Sequence, residues 1–443
     1  MELHYLVIFA IFVVLGTAHY LIRQRHQPFP QIISDAYKAK ETLNHYDNAS
    51  RAKSNQRLHF TFGISNPFTN PNEQYRRDFR KVITKSIKLD WQKIKSIAQK
   101  AVNDYTHVET SQECVVVELV PWIQKITLNV VLRGYLGMTN IDKVIDEAPS
   151  MINSLWLISK ELDFITARKD ENLKLILETK RLLKDLFNME ASSIPQQKKQ
   201  NETHNVMMEI SRIARSNFPS AFNKAHSDAA DNFESNNGFH NPSGDDLVNS
   251  LNVIIPAYET MWRVVLYAIL EIKIRPLLRN KETTEGNANI DFEKLDDAVK
   301  VFLEKPKNVS KVPPLCHVIQ ETLRLYPPTR HIHREKEGLR VTVDVEAIHR
   351  DPKIWGDDAL LFNPERFHKK PEEASFIPFS VGPLKCVAAE FAPTFAAIII
   401  SVILNRVKNV TLNQEKKETL FQKENIPFEN SRRAFDKFKV NIY

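Results

Sequence analysis

The chain has 443 residues, 42% of them hydrophobic, and a formal charge of +7, enough for one large core. Glycine is scarce, at 10 residues beside 23 prolines, which argues against a sandwich or a glycine-rich nucleotide fold and suits a mainly helical chain. The widely spaced Cys114, Cys316 and Cys386 make neither a disulfide framework nor a zinc spacing, and the basic residues are scattered rather than gathered, so no nucleic acid is expected as a partner.

Tyr5 to Ile22 is almost wholly apolar and just long enough to cross a bilayer. Met1-Glu2-Leu3-His4 lacks the Lys or Arg of a cleaved signal peptide, and Arg23 and Arg25 follow the run. Residues 1–22 are therefore expected to be a retained N-terminal membrane anchor, with the chain from residue 23 on the cytoplasmic side. Gln27-Pro28-Phe29-Pro30 reads as a stiff exit. From Gln31 to Asn70 periodicity is weak, and Phe62 to Thr69 is turn-rich. Asn72 is placed to cap a basic helix, Glu73 to Ile87, carrying Arg76, Arg77, Arg80, Lys81 and Lys85. Leu119 to Leu136 has Ile123, Ile126, Val130 and Val131 at helical spacing and reads as a core helix. Leu155 to Met189 reads as one or two amphipathic helices. Residues 219–246 shift to Ser, Asn, Asp, Gly and His and read as a flexible loop.

Leu247 to Leu270 returns to strong helical character, and Pro256 inside it should kink the helix by removing a hydrogen bond. Taken alone, Glu259-Thr260 on such a helix reads as a buried pair satisfied by its neighbours. Cys316 to Tyr326 is helical and stops at Pro327-Pro328; Glu321 and Arg324 share one face and suit a charge pair. His331 and His333 alternate as in a strand, but two histidines without a third ligand make a poor metal site. Phe376 to Ala392 sets Cys386 between a Gly- and Pro-containing loop and an apolar helix. The dipole of that helix should lower the cysteine's pKa, and a thiolate there can ligate a soft metal centre such as haem iron. A buried structural cysteine is the plainer reading of the residue by itself.

Phe379, Ser380, Gly382, Cys386 and Ala388 together resemble the cysteine-ligand loop of cytochromes P450. The family's other motifs precede it in order: Glu259-Thr260 on the central helix, Glu321-x-x-Arg324, Tyr326 to Arg334, Ala347-Ile348-His349-Arg350-Asp351-Pro352, and Phe362-Asn363-Pro364-Glu365-Arg366-Phe367. The resemblance covers nearly the whole chain, and Tyr258 to Arg263 and Val343 to Pro352 look like fungal cytochromes P450 of secondary metabolism. Four positions depart from the pattern. Leu384 stands where the family usually has a cation for a haem propionate, with only Lys385 nearby. Pro256-Ala257 replace the small pair before Glu259, and Arg76 replaces a Trp or His ahead of Arg80.

The resemblance implies a mainly helical fold with small β-sheets, a haem domain over 23–443 behind the transmembrane anchor, clasping haem b between the central helix and the cysteine loop. It implies Cys386 as axial iron ligand, Phe379 and Gly382 in the cofactor loop, and Arg80 and Arg334 as propionate partners. Glu259 and Thr260 would relay protons, and Glu321, Arg324 and Arg366 would form a buried structural ion network. The implied activity is that of a haem–thiolate monooxygenase inserting one oxygen atom from O2 into an apolar small molecule, with electrons from NADPH through NADPH-cytochrome P450 reductase. The implied location is the endoplasmic reticulum membrane, single-pass, catalytic domain cytoplasmic. Two other readings stay open. One is a reductase-independent isomerase or dehydratase of the same family, which has less need of Glu259 and Thr260. The other is a non-catalytic haem-binding member, which Leu384 and Pro256-Ala257 would suit.

Overall fold

Helical periodicity governs most of the chain, and the computed structural model forms helices wherever that periodicity is strong. It describes residues 31–86, 89–106, 114–161, 171–192, 202–219, 247–278, 290–412, 426–432, 434–435 and 437–443. The expected anchor at 1–22 and, but for residue 219, the expected loop at 219–246 lie outside the described residues.

The helix Leu251–Ile269 runs through the middle of the main core, with Tyr258, Trp262, Val265 and Tyr267 buried along it. It continues through a π-turn, Leu270–Ile274, into Arg275–Leu278. Among the described residues this is the one helix long and apolar enough to cross a membrane, but 78% of its most apolar window is buried inside the protein. Its apolarity thus serves the core. The helices Leu119–Val130, Pro313–Leu325 and Ala392–Arg406 pack on it. The last is apolar on all sides, with every residue from Thr394 to Leu404 buried, as a helix enclosed by others must be. The basic helix spans Glu73–Ser86, and Asn72 caps it as expected, its Oδ1 accepting from the Tyr75 N–H at 2.8 Å. Tyr75, Phe79, Val82 and Ile83 are its buried face.

Pro256 is accommodated by a long-range contact. A proline cannot donate to the carbonyl four residues back, here Asn252. The side-chain amide of Asn66 donates to that carbonyl at 2.9 Å, while the Asn252 side chain accepts from the Ser65 N–H at 2.7 Å. The turn-rich stretch around Phe62 to Thr69 is thereby pinned to the central helix, which runs on as one helix through Pro256.

Two small sheets complete the fold. In the first, β1 (Gln31–Ile33) pairs parallel with β4 (Leu339–Asp344), and β4 pairs antiparallel with β3 (His331–Lys336). The β3–β4 hairpin turns at Glu337 and Gly338, both at positive φ, as two-residue hairpins favour. Alternation along β3 buries Ile332 and Arg334 and leaves His331 and His333 on the other face. The second sheet orders β2 (Val115–Glu118), β6 (Lys439–Ile442) and β5 (Val410–Leu412), all antiparallel.

Candidate active site

A series of tight turns delivers Cys386. The N–H of Ser380 donates to the Ile377 carbonyl at 3.0 Å, Lys385 to Gly382 at 3.1 Å, and Cys386 to Phe379 at 2.9 Å. Ser380 and Gly382 both adopt positive φ, 60° and 73°. A Cβ at 382 would stand 2.3 Å from Oδ1 of Asn44 on the helix Ala36–His45. Glycine at 382 thus serves the close approach of loop and helix, a packing role beside the cofactor role read from sequence. Phe379 is half-buried and packs on the main core.

The setting of Cys386 corrects one expectation. It precedes a 3-10 turn, Val387–Glu390, and the α-helix begins only at Ala392, so the thiol does not sit on a long helix's N-terminus. Burial pushes its pKa up, outweighing the Ala388 N–H and the charges of Arg51 and Arg80, which favour the thiolate. Cys114, Cys316 and Cys386 are all free.

Cations gather on the same side. Arg334 is 3% exposed; its Nη1 donates only to the neighbouring His333 carbonyl at 2.8 Å, its Nε has no partner, and burial pushes its pKa down to about 10. Arg51, on the helix Asn48–Ser54, is 8% exposed. Its Nη2 donates to Asn48 Oδ1 at 2.5 Å and the Pro67 carbonyl at 2.7 Å, and its Nε has no partner. Burial, with Arg334 and Arg76 beside it, pushes its pKa down to about 9, against the opposing influence of Cys386. Arg76 forks onto Glu73 at 2.5 and 2.8 Å and reaches the Pro383 carbonyl at 3.4 Å. Arg80 is exposed, its charge still felt at Cys386. Leu384 is buried and Lys385 exposed. A free thiol beside buried guanidiniums that lack carboxylate partners fits an iron porphyrin bearing two carboxylates.

The central helix presents Thr260 exposed, its Oγ1 donating back to the Pro256 carbonyl at 3.0 Å. Glu259 points into the protein, where Oε2 forms an ion pair with Arg432 and Oε1 has no partner. Arg432 also donates to Asn153 Oδ1 at 2.5 Å and lies over the rings of Trp156 and Trp262 at 5.5 and 5.7 Å. The structure thus places Glu259 in a clamp and leaves Thr260 exposed, with only a local backbone bond. Tyr258 Oη and Trp262 Nε1 are buried nearby without partners.

Glu321, Arg324 and Arg366 do come together. Arg324 forks onto Glu321 at 2.6 and 2.8 Å and donates to the carbonyls of His349 and Ala359, both at 2.7 Å. Arg366 donates to Glu321 at 3.0 Å and to Asp358 at 2.9 Å. These side chains hold the Pro313–Leu325 helix to the segment 349–366, well satisfied and without a free catalytic group. His331 and His333 stack at 6.2 Å, and His333 bonds Thr342 at 2.9 Å. No group of three or more His, Cys, Asp or Glu able to hold a metal ion occurs among the described residues.

Sequence reasoning missed Arg51, Arg432 and Asp358. None lies in a motif with its partners: Asp358 stands just ahead of the one that holds Arg366, and Arg432 meets Glu259 and Asn153 only through tertiary packing. A second buried cluster was also missed: Arg275 forks onto Glu271 at 2.6 and 2.8 Å, and Tyr326 donates to the same carboxylate.

Comparison with known proteins gives a family match, described as Cytochrome P450, over residues 18–433. Similar curated proteins include Cytochrome P450 CYP749A22 of Panax ginseng, 39% identical over 114 residues, 22% of this chain and 22% of the relative. A cytokinin hydroxylase of Arabidopsis thaliana is 37% identical over 120 residues, 24% of this chain and 23% of the relative. Cytochrome P450 714B2 of Oryza sativa subsp. japonica is 34% identical over 186 residues, 39% of this chain and 33% of the relative. In each case the chain matches a third or less of the relative's own length.

Proposed function

The chain belongs to the cytochrome P450 family, and on that premise we propose that it is a haem–thiolate monooxygenase that inserts one atom of O2 into an apolar small molecule. The carrying observation is the free Cys386 thiol at the end of its turn-built loop, within electrostatic reach of Arg51 and Arg80, together with the buried Arg51 and Arg334, which have no acid partner. Cys386 would hold the haem iron through its sulfur. Burial keeps the thiol protonated in the bare protein, so binding of the metal and loss of the proton belong to one event. Haem, once bound, supplies the activation of oxygen, which a thiolate ligand favours by pushing electron density to iron.

The remaining steps fall to the chain's own side chains. Arg334 and Arg80 are assigned to the propionates, and Phe379 and Gly382 to the cofactor loop. Thr260 Oγ1 can turn from the Pro256 carbonyl and hold a proton-carrying water. Glu259 is its acid, working only as far as Arg432 releases it. Reducing equivalents are assigned to NADPH through NADPH-cytochrome P450 reductase. An anchor at 1–22 in the endoplasmic reticulum membrane would place catalysis on the cytoplasmic side. The likeness of 258–263 and 343–352 to fungal enzymes supports a role in secondary metabolism, although the three relatives described above are plant proteins.

The degenerate reading rests on Leu384 and Pro256-Ala257; Asn66 offsets the hydrogen bond that Pro256 costs the helix and leaves the replaced small pair as it was. The test is the difference spectrum of the reduced, carbon-monoxide-bound protein. The wild type should give the thiolate band and Cys386→Ser should lose it, while changes to Cys114 and Cys316 should keep it. A Cys386→Ser protein with an unaltered band overturns the assignment.

A further inference from the structure

Arg51 is costly where it stands. It is buried, its Nε lacks a partner, and among the described residues no carboxylate lies within ion-pair distance of it. Glu73, the acid whose charge reaches it, is already forked by Arg76. Arg334 is a second buried cation in the same condition and acts on Arg51 as a like charge. Two such guanidiniums together oppose folding unless something anionic joins them, since burying an unpaired charge is unfavourable. The chain nevertheless holds Arg51 firmly. Asn48 and Pro67 fix its Nη2, the Phe68 ring lies 5.0 Å beneath its guanidinium, and the Ser54 hydroxyl ties the same helix to the His333 carbonyl at 2.8 Å, one residue from Arg334. A guanidinium with two of its hydrogen bonds fixed and its Nε free is pre-oriented for a planar anion. The second observation comes from the cysteine loop, where Leu384 is buried and apolar at the family's usual cation position.

We propose that Arg51 is a haem-carboxylate anchor in this chain, acting with Arg334 and supplying from the Asn48–Ser54 helix the charge that Leu384 does not. The inference rests on the haem reading above. It explains why a buried cation is kept without an acid, and why the departure at 384 is compatible with a working site.

The experiment loads the full chain, expressed without haem, in parallel with haem b and with its dimethyl ester, and follows haem loss to apomyoglobin. The ester lacks the anionic oxygens and is blind to a carboxylate anchor. Arg51→Gln should release haem b roughly 10- to 100-fold faster than wild type, the range of one charge-assisted buried hydrogen bond, and leave ester release unchanged. Arg51→Lys, which keeps the charge and loses the fork, should fall between for haem b and match wild type for the ester. This second variant carries the test if Arg51→Gln does not fold. Equal acceleration with both haems, or none with either, overturns the proposal. Failure of the wild type to show a thiolate carbon-monoxide band would instead overturn the haem–thiolate reading itself.

Discussion

Arg432, from the segment that leads into β6, closes a buried ion pair on Glu259 of the central helix, with the rings of Trp156 and Trp262 flanking its guanidinium. The pair joins two stretches far apart in sequence, and each partner's charge makes the other tolerable. Arg432→Met should therefore strand the Glu259 carboxylate, whose Oε1 already lacks a partner, and cost about 3–5 kcal/mol of stability. Adding Glu259→Gln should recover most of that loss, since a neutral amide is cheaper to bury than an unpaired charge. Urea unfolding of both variants checks this; an Arg432→Met protein as stable as wild type would show the pair to be dispensable.

Thr260 stands in the opposite condition. Its hydroxyl is exposed and spends its proton on the Pro256 carbonyl, a local bond that costs little to exchange. Thr260→Ala should leave haem binding intact and divert reducing equivalents to peroxide, because no hydroxyl then positions water for proton delivery. Thr260→Ser should retain most of the coupling. The measurement is product formed per reducing equivalent consumed, and unchanged coupling in Thr260→Ala removes the residue from the proposed relay.

What the sequence made legible was what short spacing encodes. Glu321 and Arg324 meet because three helical positions bring them to one face, and the Asn72 cap lies directly before its helix. Pro256 signalled a lost helical hydrogen bond, but not that Asn66 would satisfy the carbonyl it leaves open. Arg51 and Arg432 carry no local signal at all. Their meaning comes from partners hundreds of positions away, or from the lack of one, and neither periodicity nor motif reports that. Cys386 was found for its loop and misjudged in its electrostatics, because desolvation depends on the packed surroundings and not on the neighbouring residues in sequence.

His349 should make the fold acid-sensitive. Its ring is fully buried, Nε2 accepts the Ile377 N–H at 2.9 Å, and burial beside Arg324 pushes its pKa from the ordinary 6.5 down to about 3. The folded chain keeps it neutral while the unfolded chain takes up a proton below 6.5. Its contribution is therefore complete above pH 6.5 and is lost as the pH falls toward 3, at up to about 1.4 kcal/mol per pH unit. His333, pushed down to about 4 chiefly by burial, adds to the same slope more weakly because it is partly exposed. Urea midpoints at pH 7, 6 and 5 should fall faster for wild type than for His349→Gln, whose amide oxygen can still accept the Ile377 N–H. Parallel lines for the two proteins would remove His349 as the source.

Leu384→Arg tests whether the charge missing from the cysteine loop has been moved to Arg51. Leu384 is buried, so the new guanidinium must be desolvated, and the nearby loop carbonyl of Pro383 is already approached by Arg76. Without haem the substitution should destabilise the chain, since it adds a buried cation to a region that already holds Arg51 and Arg334 unpaired. With haem bound the carboxylates offset that cost, so the gap in urea midpoint between loaded and haem-free protein should widen relative to wild type. In the Arg51→Gln background the same substitution should restore haem retention, because either guanidinium can serve the propionates. In the wild-type background it should improve retention far less, the carboxylates being already held. Two sites that serve one anion must be non-additive in this way. If Leu384→Arg changes haem loss by the same factor with and without Arg51, the two positions serve different groups, and the apolar residue at 384 has no counterpart on the Asn48–Ser54 helix.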